Sequence, residues 1–79
     1  MKKDNLALIG KKANSVAVTW LYVEADGFTA NVYTRTFWKS NGADNGFRYV
    51  GTVYGCNGMS AVELIKVDSK YTNGYTLID

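Results

Sequence analysis

The sequence predicts an α+β fold: a small antiparallel sheet of four to five strands in meander order, a single helix near the C-terminus, and a last strand. Three observations carry this. Long runs of β-branched and aromatic residues alternate with Asn, Asp and Gly punctuation; a helix-capping signature follows the last long run; and a short apolar segment closes the chain behind Asn73-Gly74. With 79 residues, 1–79 form one domain with one small core, burying on the order of 60–65% of the surface that the unfolded chain exposes. A hydrophobic content of 47% and charges of both signs argue against disorder.

"NLALIG" is a candidate first strand, and residues 1–14 form either a basic arm or an edge strand, since Lys2, Lys3, Lys11 and Lys12 gather there beside Asp4. "SVAVTWLYVE" and "FTANVYTRTFW" read as strands on β-branched and aromatic content. "SNGADNG" holds two Asn-Gly pairs and is an open loop or wide hairpin connection. "FRYVGTVYG" is a further strand, in which Gly51 and Gly55 mark a bend or the close approach of another backbone. Ser60 and Glu63 make the S-x-x-E capping box, with Met59 and Leu64 as its hydrophobic staple, and predict a helix from about Ala61 to Lys70. Ala61, Leu64, Ile65 and Tyr71 fall on its buried side. "YTLI" is the last strand.

The turn "EADGF" permits two registers with opposite consequences. A two-residue Asp26-Gly27 loop sets Trp20 across from Tyr33, with Tyr22 and Phe37 on the same face. A three-residue loop, Ala25 to Gly27, instead gathers Val16, Val18, Trp20, Tyr22, Phe28, Ala30, Val32 and Trp38 on one side. This second register segregates polar from apolar residues more cleanly, so it is preferred, with the helix packed on the Trp20 side and Phe47, Tyr49 and Val53 joining the core. The outer side then holds Tyr33, Arg35, Phe37, Arg48 and Tyr54 beside Leu21 and Val23. A helix of about ten residues is only about 15 Å long and covers one face of a sheet. Apolar surface is therefore left over unless the N-terminal segment folds across it or the sheet curls into a barrel.

Catalytic chemistry is poorly provided for. There is no histidine, one cysteine and no phosphate-loop glycine pattern, so neither a zinc cluster nor a nucleophile with its base can be assembled. Glu24 and Asp26 sit together at the hairpin tip, where turn chemistry and solubility explain them. Cys56 reads as a small buried residue at a strand end. The expectation is a protein that is not an enzyme and takes no cofactor, no metal and no small-molecule substrate. A lone cysteine excludes an internal disulfide, and the N-terminal apolar run is too short for a signal-peptide core or a membrane span, so a cytoplasmic protein away from the membrane is expected.

"NGFRYVGT", Asn45 to Thr52, partly resembles the RNP1 segment of RNA-recognition motif domains, matching at Gly46, Phe47, Tyr49 and Val50 and departing at Asn45, Arg48 and Thr52. "LYV", Leu21 to Val23, is similar to the start of the companion RNP2 segment. The resemblance implies aromatic side chains that stack on unpaired bases. It also implies a helix between the two segments, where Phe28 to Trp38 has strand chemistry instead.

The function expected is a non-catalytic protein-binding module, an inhibitor or accessory factor of the kind mobile genetic elements such as phages encode. It would bind a host protein, or itself as a homodimer, through a sheet face. Tyr33, Arg35, Phe37, Arg48 and Tyr54 are the candidate contact residues: rings for buried area, guanidinium groups for directional bonds. The alternative is a sheet that binds single-stranded nucleic acid, with Arg35, Arg48 and the N-terminal lysines on phosphates; the net charge of +2 gives that reading little electrostatic support.

Overall fold

A computed structural model describes residues 6–78. Lys2, Lys3 and Asp4, the first part of the expected basic arm, lie outside the described residues, while Lys11 and Lys12 stand in a strand. Four strands follow one another as an antiparallel meander: β1 (Leu6–Ala13), β2 (Ala17–Asp26), β3 (Thr29–Trp38) and β4 (Arg48–Tyr54). Two helices, α1 (Ala61–Val67) and α2 (Ser69–Thr72), then lead to β5 (Thr76–Leu77), which pairs with the free edge of β1. The sheet order is β4-β3-β2-β1-β5, open at both ends. No barrel forms, and residues 6–13 extend the sheet from within rather than folding across a face. No helix stands between β2 and β3 or between β3 and β4, so the likeness to RNA-recognition motif segments does not extend to the topology it implied.

The β2–β3 hairpin takes neither register expected from the sequence. Asp26 pairs with Thr29, and the two-residue loop is Gly27-Phe28. Gly27 has φ +57, a left-handed conformation open to glycine, while Phe28 projects from the turn at 68% exposure. Thr29 Oγ1 donates to the Asp26 carbonyl at 3.0 Å, and the Gly55 N–H donates to the Phe28 carbonyl at 2.9 Å, so the neighbouring strand end holds the turn.

This register leaves β3 facing as expected and reverses β2. Ala17, Leu21 and Val23 join Ala30 and Val32 on the helix side, and Val18, Trp20 and Tyr22 lie on the opposite side with Tyr33, Arg35 and Phe37. The expected core around Trp20 is therefore wrong. Leu21, Val23, Val32 and Ile65 are the largest fully buried side chains, with Ile9, Ala30, Ala61 and Tyr71 completing the cluster. Burying each of the larger aliphatic side chains stabilises the fold by roughly 1.5–3 kcal/mol.

Two bulges complete the arrangement. In β1 the pairing shifts between Leu8 and Gly10, and the extra residue, Ile9, is buried in the core. In β4 the pairing shifts so that Val32 faces Gly51 while Tyr33 faces Tyr49; Val50 is the extra residue and is exposed. Val53 packs against the core as expected, but Phe47 and Tyr49 leave it for the other face.

The capping serine forms as expected: Ser60 Oγ accepts from the Glu63 N–H at 3.2 Å. The single expected helix is split at Asp68, which leaves the helical region (φ −91, ψ 113), and its carboxylate caps α2 by accepting from the Lys70 N–H at 2.9 Å. Ala61, Ile65 and Tyr71 are buried, and Leu64 is only half-buried. Tyr71 lies over Gly51, where an added Cβ would stand 2.9 Å from its hydroxyl oxygen. Cys56, expected to be buried, is exposed in a turn closed by paired backbone hydrogen bonds with Met59 and tipped by Asn57 and Gly58, both with positive φ.

Candidate functional site: an open aromatic sheet face

Both helices pack on the Leu21 side, so among the described residues no element covers the other face of the sheet. The pairings arrange its side chains in cross-strand rows. Nearest the hairpin tip are Asp26, Thr29 and Tyr54. Next comes Leu6, Glu24, Asn31 and Thr52, followed by a central row of Leu8, Tyr22, Tyr33 and Tyr49. Lys11, Trp20 and Arg35 form the fourth row, and Ala13, Val18 and Phe37 the last. Phe47, from the loop before β4, turns back onto the face beside Tyr22. Seven of the eleven aromatic residues therefore lie on one side.

The rings pack against one another rather than lying as separate plates. Tyr22 and Phe47 meet edge to face with centroids 5.1 Å apart, and Tyr33 and Tyr49 do so at 5.8 Å. Their polar ends are engaged as well. The Tyr33 hydroxyl donates to Glu24 Oε1 at 3.4 Å, Tyr49 is hydrogen-bonded to Thr52, and Thr52 Oγ1 donates to Asn31 Oδ1 at 2.7 Å. Desolvation first, and Glu24 second, raise the Tyr33 phenol above its ordinary pKa, so Tyr33 is neutral over the physiological range.

Arg35 is clamped in place. Its guanidinium stands 5.0 Å from the centroids of both Phe37 and Phe47, its Nε donates to Asp44 Oδ2 at 2.8 Å, and its terminal nitrogen pairs with the same carboxylate. Asp44 is held by an isolated bridge to Phe37 and by accepting from the Gly46 N–H at 2.7 Å. The Asn-Gly-rich loop thus serves as the arginine's carboxylate holder, and the hydrogen bond that Arg35 donates to Asp44 raises the Arg35 pKa further. The other cation on the face, Lys11, has its ammonium 5.4 Å from the Trp20 ring centroid.

Of the residues singled out from the sequence, Tyr33, Arg35, Phe37 and Tyr54 stand together on this face, whereas Arg48 pairs with Thr34 and falls on the helix side. Sequence reasoning missed Trp20, Tyr22, Phe47 and Tyr49. A signal for the first two was present: the rejected Asp26-Gly27 register also sets Trp20 and Tyr22 on the face of Tyr33 and Phe37, because it differs from the actual register by an even shift. For Phe47 and Tyr49 the signal was hidden by the bulge at Val50.

The face carries Lys11 and Arg35 against Glu24, Asp26 at the hairpin end and Asp44, two positive and three negative charges. Among the described residues there is no enclosed pocket, no cluster of three or more His, Cys, Asp or Glu side chains that could hold a metal, and no helix long and apolar enough to cross a membrane. No protein-family model, curated protein or solved structure matches the chain.

Proposed function

We propose that this chain is a non-catalytic protein-binding module, of the inhibitor or accessory-factor kind, that works through the open face of its sheet. The observation that carries the reading is the concentration of aromatic side chains on the uncovered face, with no surplus of positive charge there. Interfaces between proteins are enriched in aromatics and arginine and depleted in lysine and carboxylates at their centre, and the Leu8–Tyr22–Tyr33–Tyr49 row with Arg35 beside it has that composition.

The same observation weighs against single-stranded nucleic acid. A base-stacking groove presents ring faces and a surplus of cations along the phosphate track. Here two ring pairs meet edge to face, the Arg35 guanidinium already holds a carboxylate, and Arg48 points to the other side of the sheet.

The test is capture from an extract by the tagged protein, with and without nuclease, followed by a salt titration of whatever is retained. The proposal expects partners that survive nuclease and lose little affinity between 50 and 200 mM salt, whereas a protein making six or more phosphate contacts loses about 10³-fold or more over that interval. Partners that disappear with nuclease would make the nucleic-acid reading the correct one.

A further inference from the structure

We infer that the occupant of the open face is a second copy of this chain, stacked sheet on sheet with its strands antiparallel to the first, about a two-fold axis that runs across the strands over the Tyr22–Tyr33 row. The inference rests on the preceding reading of this face as a protein-binding surface and names the partner.

The first argument is the layer count. Helices cover one face of the sheet, and the seven aromatic side chains of the other are all half-buried or exposed, apolar surface that a second copy would bury. Two copies related in this way make a four-layer stack, helices outermost and the two sheets about 10 Å apart at the centre.

The second argument is charge placement. Relative to the central Tyr22 row, Glu24 lies one row toward the hairpin tip, and Lys11 lies one row the other way, across from Trp20. These two residues are therefore too far apart to pair within one chain, and Lys11 has no carboxylate partner among the described residues. Rotation about the central row exchanges the two positions. Glu24 of one copy then stands over Trp20 and Lys11 of the other, and the symmetry makes this contact twice. The alternative two-fold, along the strands, would set the Glu24 rows over each other and juxtapose like charges. Charge thus selects the antiparallel stack.

The third argument is size. Four strands about 4.8 Å apart, each contributing about eight residues at 3.4 Å, present a projected face of roughly 500 Å², or about 1,000 Å² from both copies. That reaches the lower bound for a specific interface and implies a reversible dimer rather than an obligate one.

The experiment is sedimentation equilibrium of the full chain from about 5 to 500 µM, on the wild type, on Glu24→Lys, on Lys11→Glu and on an equimolar mixture of the two variants. Glu24→Lys carries lysine at both positions and Lys11→Glu carries glutamate at both, so each alone repels itself. The mixture restores both contacts between unlike chains. The expected result is a wild-type dimer, a dissociation constant raised at least about tenfold in each variant, and recovery to within about threefold of wild type in the mixture. Circular dichroism checks that both variants fold, and the recovery itself requires folded chains. A wild type that stays monomeric at 500 µM overturns the inference, as does a dimer indifferent to both substitutions or a mixture that does not recover. The parent reading fails separately, when Tyr49→Ala leaves every nuclease-resistant partner bound.

Discussion

Replacing Val32 by threonine keeps the shape of the side chain and adds one hydroxyl, which makes it a direct probe of which sheet face is dry. Val32 is fully buried between Val23 on β2 and Gly51 on β4, under Ile65 and Tyr71. Among the described residues the one polar side-chain atom in this core is the Tyr71 hydroxyl over Gly51, and a threonine hydroxyl that does not reach it is left without a partner. An unpaired buried hydroxyl costs roughly 1–3 kcal/mol. A chain of this length has a total stability of roughly 4–12 kcal/mol, so a loss of about 2 kcal/mol is a large fraction of it and lowers the melting temperature by about 8–16 °C. Val18→Thr makes the same chemical change on the open face, where water reaches the half-buried side chain beside Phe37, and should alter stability by no more than about 0.5 kcal/mol. The assay is urea unfolding of both variants at low micromolar concentration, where any association through the open face contributes least. A Val18→Thr cost equal to or greater than that of Val32→Thr would refute the assignment of the faces.

Gly55→Ala should cost about 1–3 kcal/mol in the same assay, because a Cβ there would stand 2.9 Å from the Met59 carbonyl oxygen, a backbone atom that cannot swing aside. Ser60→Ala removes the acceptor for the Glu63 N–H and should cost about 1 kcal/mol, with the loss of amide protection confined to the first turn of α1. The Tyr33 phenol should titrate above its ordinary value of 10.0 when followed by ultraviolet absorbance, and Glu24→Gln should bring it part of the way back, since desolvation is the larger cause and remains. The raised pKa means that the folded chain holds this proton more tightly than the unfolded one. Its contribution to stability is therefore complete below pH 10 and is lost as the pH rises through the folded pKa.

Strand and helix content was legible because local chemistry decides it. The runs of Val, Thr and aromatics became β2, β3 and β4, and Ser60 capped α1. Where the helix broke was less legible: Asp68-Ser69 is a second cap embedded in what reads as one apolar repeat, and a capping carboxylate won over helical continuity. The facing of β2 was not legible from alternation alone, because Leu21 and Val23 on one side and Trp20 and Tyr22 on the other are both apolar sets. Packing discriminates between them. The short helices offer Ala61 and Ile65, which fit a close-packed aliphatic face, while the ring hydroxyls and Lys11 stay where water reaches them. The Gly27-Phe28 turn was hidden for a related reason: an aromatic residue at a turn tip runs against turn chemistry and is held there by the backbone bond from Gly55. The bulges at Ile9 and Val50 changed side-chain parity within single strands; each stands beside a glycine, Gly10 and Gly51, and the bend read at Gly51 did not reveal the parity change that comes with it. Candidate site residues on β3 were therefore placed together, while those on β2 and β4 were partly missed.

The claim that the aromatic face is the working surface is tested most directly by the double variant Tyr33→Ala, Tyr49→Ala, which removes one edge-to-face ring pair from the central row without touching the Leu21 core. Its thermal unfolding and its retention of nuclease-resistant protein partners, including a second copy of the chain, are to be measured side by side. The account predicts a cooperative melt within about 10 °C of wild type together with loss of binding. Full retention of binding by the folded variant, or collapse of the fold without a cooperative transition, would contradict it.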